Sequence, residues 1–447
     1  MPNAFPPGSM TWLLGIEDTC VYPPARFAMD PLDEHELTEH STRWRQDLDA
    51  VHDLGATALR YGVNWPLVHT APGAFDWKDL DERLGHAAGE LGLTVIADLV
   101  HYGTPTWLDG SFADPDYPEA IAEFATAFTA RYRGLVDHLT PLNEPVTTAS
   151  FCGLRGVWPP ALTGWTGWTT VALGIVEGVR RTIAAARSAN PDVVIVHVEA
   201  SAIYTPSTPD LEDHAHLLRA VAALPTELLL GVVTSSHPMH GWLLEQGADA
   251  RILAGFLTDP PIIDLLGVNY YPDLTPRDLV AGVGSVEQIA VNRWTDGLRD
   301  RLRWFAARFD APLLVTETSI EGTEEVRADW LRDSAGAVLE LREEGLDIRG
   351  YTWWPLLDFV DWSYASGGRN VEEFLLAPAE DDSQHAATAE VFGQVEHGRG
   401  AFLRRMGLLA LEEGADGGLE RAPTAAAPVF RALAAGVEID DAVDRVG

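Results

Sequence analysis

Residues Leu93 to Leu142 read LTVIADLVHYGTPTWLDGSFADPDYPEAIAEFATAFTARYRGLVDHLTPL. The stretch opens on an apolar run of strand length and crosses a polar loop. It continues as PEAIAEFATAFTARY, whose apolar residues recur at three and four, and ends on a second apolar run. Short apolar runs make buried strands, and a 3.6-residue period makes an amphipathic helix, so this is one strand–helix–strand unit. The unit recurs outward in both directions. Strand-like runs begin at Thr11, Ala56, Leu93, Leu135, Asp192, Ile262, Pro312 and Arg349. Helical patterns lie between them, among them LTEHSTRWRQDLDAVHDLG, WTTVALGIVEGVRRTIAAARS, DGLRDRLRWFAARF and VRADWLRDSAGAVLELREEG. Gly55, Gly92 and Gly345 stand where such helices should stop.

Strands alternating with helices imply a parallel sheet with crossover connections. Eight units predict an α/β fold of the (β/α)8 TIM-barrel type rather than an open doubly wound sheet. No GxGxxG follows the first strand, which weighs against a dinucleotide fold. The whole chain, 1–447, is expected to form one barrel domain. A long loop is expected at about 363–400, after strand eight, where periodicity is lost, and a last helix near PVFRALAAG.

Of the 447 residues, 46% are hydrophobic, enough for a large core. The formal charge is −36, and Lys78 is the one lysine. Nucleic acids and anionic membranes need a basic surface, so neither is an expected partner. The N-terminus lacks the pattern of a signal peptide, and no run of apolar residues is long enough to span a bilayer. Two distant cysteines, Cys20 and Cys152, make neither a disulfide scaffold nor a zinc set, and a reducing cytoplasm is the expected compartment. The acidic run DPLDEHELTEH (30–40) lacks EF-hand spacing and reads as a solvated approach to a helix.

In such barrels the reacting groups project from the C-terminal strand ends. Those ends carry Glu17-Asp18, then Arg60 to Trp65, His101-Tyr102, Asn143-Glu144-Pro145 and Glu199. Asn269-Tyr270-Tyr271, Thr316-Glu317-Thr318 and Trp353-Trp354 complete the ring, with Asp358, Asp361 and Trp362 just beyond. Glu144 and Glu317 end strands four and seven, across the mouth from each other. Two carboxylates whose surroundings separate their pKa values can cleave a glycosidic bond, one as acid and one as anion.

TPLNEP (Thr140–Pro145) resembles the acid/base signature of family 1 glycoside hydrolases, the β-glucosidase family of clan A, and LLVTETS (Leu313–Ser319) resembles its nucleophile strand. ALRYGVNWP, VHYGTPTWL, LGVNYYPD, GYTWWPLLDFVDW and RRMGLLAL resemble further family segments, in order along nearly the whole chain. The resemblance implies Glu144 as acid/base and Glu317 as nucleophile, with Arg60 and Tyr271 holding Glu317 ionised. It implies Asn143 at the sugar 2-hydroxyl, His101 at another hydroxyl, Trp354 under the ring, and Asp361 and Trp362 at the outer hydroxyls. Three departures mark divergence. The N-terminal segment GIEDTCVY lacks the family's sugar-binding Gln, Thr318-Ser319 replaces Asn-Gly, and Asp361 replaces Glu. Glu17 and Asp18 are candidates to stand in for the missing Gln, and Glu199 is a further candidate at the mouth. Trp158, Trp165 and Trp168 are candidates for an outer subsite.

The expectation is a retaining glycosidase on a small β-linked carbohydrate. Neither a cofactor nor a metal is implied. The sugar should be uncharged, because no lysine lies near the post-strand-eight loop and Arg369 is the cation there. A transglycosidase on the same site and a non-catalytic sugar-binding barrel are the alternatives.

Overall fold

The computed structural model describes residues 4–27, 29–369, 371–372, 374–376, 399–414 and 417–437. Eight parallel strands close into a barrel: β1 Thr11–Gly15, β2 Ala58–Gly62, β3 Thr94–Asp98, β4 His138–Thr140, β5 Val194–Ala200, β6 Leu265–Asn269, β7 Leu313–Thr318 and β8 Ile348–Trp353. Closure comes from β1, which pairs with β8 on one side and β2 on the other. Each strand is followed by a helix: α1 His40–Asp53, α2 Lys78–Leu84, α3 Tyr117–Arg131, α4 Gly164–Ala189, α5 Glu212–Leu229, α6 Trp294–Arg308, α7 Glu324–Glu343 and α8 Ala426–Ala434. This is the (β/α)8 TIM barrel that the alternating apolar runs predict.

The barrel strands are buried on both faces because helices cover the outside. Inside, Leu13, Ala58, Ile96, Val196, Val198, Leu265 and Leu314 pack against Phe5, which closes the bottom. The polar strand ends are thereby left at the other end, the mouth.

Three features depart from the sequence expectations. Helix α5 had no assignment, although its Leu218, Val221, Leu224 and Leu228 are buried at three- and four-residue spacing. A second sheet, Ile203–Pro206, Pro276–Ala281, Val286–Ala290 and Leu375–Leu376, forms from segments too short and polar to stand out. It draws the chain after β8 back over the mouth, because Leu375 and Leu376 pair with Ile289 and Ala290. The acidic run 30–40 is not a solvated approach. Asp33, Glu34, His35 and His40 are all buried. Glu34 accepts from the Val360 amide at 3.1 Å, and His40 bridges Asp47 and the Tyr61 hydroxyl at 2.9 and 2.8 Å. These partners lie elsewhere in sequence, so local composition could not reveal them. Of the expected loop at 363–400, residues 370, 373 and 377–398 lie outside the described residues, and its start is a short 3-10 helix, Trp362–Ser366.

Candidate active site

Arg60, the third residue of β2, points up inside the barrel and is fully buried. A desolvated guanidinium persists only when paired and hydrogen-bonded. Its two amino groups take Glu317, Asp98 and Asn143, the last at 2.6 Å. Glu317, near the end of β7, receives Arg60 on one carboxyl oxygen and the Tyr271 hydroxyl on the other, at 2.7 Å. Both its oxygens are therefore held by donors, one of them charged.

Glu144 faces the same cavity from the end of β4, where the backbone turns into a short helix with Glu144 at φ +45°. Its carboxylate accepts from the Tyr102 hydroxyl and from the Asn269 side-chain amide, both at 2.8 Å. Burial raises Glu317 to about 8, with Arg60 opposing and the charge of Glu144 adding to the rise. Of the two, Glu317 is the one paired with a guanidinium, which favours its charged form.

Asn143 is fully buried, and its amide nitrogen lies 3.0 Å from both His101 Nε2 and the Tyr102 hydroxyl. Arg60 fixes the Asn143 oxygen and so turns the amide nitrogen towards Nε2, while Nδ1 of His101 points to the other side. There it faces Asp18 at 2.6 Å and Asp98 at 3.2 Å. Burial opposes charge on His101, but Asp18 and Asp98 outweigh it and raise its proton affinity well above that of a free imidazole. Burial likewise pushes Asp18 up to about 6, against the pull of His101. The ligand atoms of Asp18, Asp98 and His101 lie within 4.8 Å of one another, close enough to hold a cation. Arg60 already supplies the positive charge at that point.

Trp354 lies flat beside His101, ring centroids 5.7 Å apart, with the Arg60 guanidinium 4.6 Å from its ring centroid. Its indole N–H donates to Glu17 at 2.8 Å. The indole can occupy this place because residue 15 is glycine: a Cβ there would run into the ring.

The predicted residues thus sort by position. Glu17, His101, Glu144, Tyr271, Glu317, Trp354 and Trp362 line an inner cavity of about 90 Å3. Arg60, Asn143 and Asp18 stand behind that wall and hold it. Glu199 is buried behind Glu144, where it accepts from the Val146 and Ala200 amides at 3.2 and 3.0 Å, and burial pushes its carboxyl well up. Asp361 caps the 3-10 helix through the Ser363 amide at 2.9 Å and lies 3.7 Å from Arg404. The acid that lines the cavity on that side is Glu372, with Arg404 beside it. Arg404, rather than Arg369, is the cation at this wall, and Glu321 holds it at 2.8 Å.

Sequence reasoning assigned no role to Tyr102, Asn269 or Asp98, although each stands at a strand end next to or near a chosen residue. Glu372 and Arg404 carried no local signal, since the second sheet and the C-terminal segment bring them in. Glu144, Tyr271, Trp362 and Glu372 also border an outer cavity of about 180 Å3, which Trp165 and Trp168 help to line. Trp158 instead packs on Phe151, ring centroids 4.3 Å apart.

The glycosyl hydrolase family 1 model matches residues 26–243. A bifunctional β-D-glucosidase/β-D-fucosidase of Bifidobacterium breve is 26% identical over 385 residues, covering 73% of this chain and 81% of the relative. A β-glucosidase of Agrobacterium sp. is 23% identical over 376 residues, covering 73% and 77%. Among solved structures, the family 1 β-glucosidase of Thermotoga maritima superposes with a TM-score of 0.75 at 15% identity, covering 98% of this chain and all of that one. The same enzyme bound to deoxynojirimycin gives 0.73 at 16% identity, covering 97% and 99%. With the barrel, the two glutamates on one cavity and matches over nearly three quarters of the chain, the chain is similar to glycosyl hydrolase family 1 and is a glycosidase.

Proposed function

We propose that the enzyme removes a single terminal sugar from a β-linked glycoside with retention of anomeric configuration. The observation that carries this is Glu317, gripped on one oxygen by Arg60 and on the other by Tyr271, in a cavity that it shares with Glu144. A nucleophile must be ionised and immobile, and those two donors serve both needs.

Glu317 attacks the anomeric carbon as the bond to the leaving oxygen breaks, and that oxygen takes the proton of Glu144. Glu144, now a base, takes a proton from water, whose oxygen displaces Glu317 from the sugar. Trp354 supplies an apolar floor for the ring, and Glu17 and His101 supply hydroxyl partners. An inner cavity of about 90 Å3, walled at its far side by Phe359 and Met406, suits one ring rather than a chain. The substrate is neutral on this reading, because Arg404 is paired with Glu321 and four carboxylates line the cavity.

Aryl β-glycosides of glucose, galactose, mannose, fucose and xylose, each followed by NMR of the first-formed sugar, test the proposal. Turnover of at least one with the β-anomer appearing first is expected. An α-anomer first, or sugar binding with no turnover of any, would contradict it. Faster turnover of a 6-phosphoglycoside than of its neutral counterpart would contradict the neutral substrate.

A further inference from the structure

Glu199 stands at a strand end, yet it lines neither of the cavities that Glu144 borders. It is 1% exposed and lies on β5, the strand beside β4, which leads to Glu144. The two strands are stitched together just beyond β4. The Glu144 amide donates to the Val198 carbonyl at 3.2 Å, and two residues on, the Val146 amide donates to Oε1 of Glu199 at 3.2 Å. Pro145 between them has no N–H. The backbone on each side of Glu144 is therefore held by consecutive residues of β5.

The second of these bonds replaces one that Glu144 would ordinarily make itself. Glu144 immediately precedes the short helix Pro145–Ala149. A residue in that place normally has extended backbone and turns its side-chain oxygen back to an amide of the first turn. Glu144 instead has φ +45° and ψ +71° and makes no such bond. Its carboxyl goes into the cavity, to Tyr102 and Asn269. Left-handed backbone is unfavourable for such a residue and lasts only where the surroundings hold it. It would also leave the first amide of the helix unsatisfied, and Glu199 reaches across from the next strand to take that amide. Burial pushes the Glu199 carboxyl well up. A neutral carboxyl keeps an accepting oxygen, so this cap needs no charge.

We propose that Glu199 is a positioning residue for the acid/base: it caps the helix in place of Glu144 and so leaves the Glu144 carboxyl free to face the leaving oxygen. The inference rests on the acid/base role proposed for Glu144 and deepens it. Glu199 thereby acts on the reaction without touching the sugar.

The test compares Glu199→Met, which keeps the side-chain length and removes the oxygen, with Glu199→Gln, which keeps both. Each is assayed on a hexyl and a nitrophenyl β-glycoside of one sugar that the enzyme turns over, with Glu144→Ala beside them. Values of kcat/KM report the first bond cleavage, in which the alkyl alcohol needs the acid and the nitrophenolate does not. A misplaced acid should cost Glu199→Met about 10²-fold on the hexyl glycoside and no more than a few-fold on the nitrophenyl one. Glu199→Gln should recover the hexyl rate to within a few-fold of wild type. A side chain with only a structural role would lower both substrates together. Where the Met variant does not fold, Glu199→Asn, whose oxygen falls one methylene short of the Val146 amide, should show the same selective loss. Equal losses on both substrates, no loss at all, or a Gln variant as impaired as the Met one, with Glu144→Ala selective, would overturn the inference and leave the acid/base reading standing. No selectivity in Glu144→Ala itself would overturn both.

Discussion

Tyr271 donates to the ionised form of Glu317 and to no other carboxylate of the site. Removing that donor must raise the Glu317 pKa, because a hydrogen bond to the charged form favours it. In Tyr271→Phe the ionised fraction at a given pH falls, so the acidic limb of the kcat/KM profile should move up by about one pH unit. An unchanged limb would show that Arg60 alone holds the charge. Glu144 is tested through its proton. A nitrophenolate leaves without much help, whereas an alkyl alcohol needs the acid. Glu144→Ala should cost roughly 10²–10⁴-fold on alkyl glycosides and much less in the first step on aryl ones. Azide, which needs no base, should then restore turnover and give the β-glycosyl azide. A variant equally impaired on both kinds of substrate, or an α-azide, would reverse the assigned roles.

The strand ends were the most legible elements of the chain. β1 to β8 each overlap one of the eight apolar runs, because a strand buried on both faces is apolar without interruption. Arg60, His101, Asn143, Glu144, Tyr271, Glu317 and Trp354 were legible as residues at or near strand ends, and the roles expected of them came from the resemblance to family 1 segments. The remainder was hidden because its meaning is long-range. Glu34 and His40 look like surface residues until Val360, Asp47 and Tyr61 come to meet them. Glu372 reaches the cavity on a segment that pairs two residues with a sheet no pattern announced. Asp361 reads as a sugar ligand by position, yet the local turn after it claims its carboxylate as a cap. Glycine at the end of β1 has a specific element-scale role. Gly15→Ala would drive its methyl into Trp354 and displace the platform together with the indole bond to Glu17. The expected outcome is a loss of about 10²-fold in kcat/KM from misplacement alone. Overpacking should add a drop in Tm corresponding to about 1–3 kcal/mol. Wild-type kinetics in this variant would show that the platform is unimportant.

Over the whole molecule, 67 acidic side chains face 31 basic ones. Many of the cations are spent in surface pairs, such as Arg303 with Glu344 and Arg349 with Asp347, each at 2.7 Å. Such pairs contribute little individually, and the excess negative charge repels itself across the folded surface. Added salt screens that repulsion more than it weakens the pairs. Raising NaCl from low concentration to about 0.5 M should therefore raise Tm by a few degrees. A fall would mean that the surface pairs outweigh the net charge.

The proposed mechanism requires a covalent bond between the sugar and Glu317. A 2-deoxy-2-fluoro-β-glycosyl fluoride of the preferred sugar forms the glycosyl-enzyme quickly and releases it slowly, so peptide mass spectrometry of the inactivated protein can locate the bond. One sugar per chain is predicted, on the peptide carrying Glu317, with no label in Glu317→Gln. A label on Glu144, Glu17 or Glu372, or turnover of natural glycosides without any trapped adduct and with inversion, would contradict the mechanism.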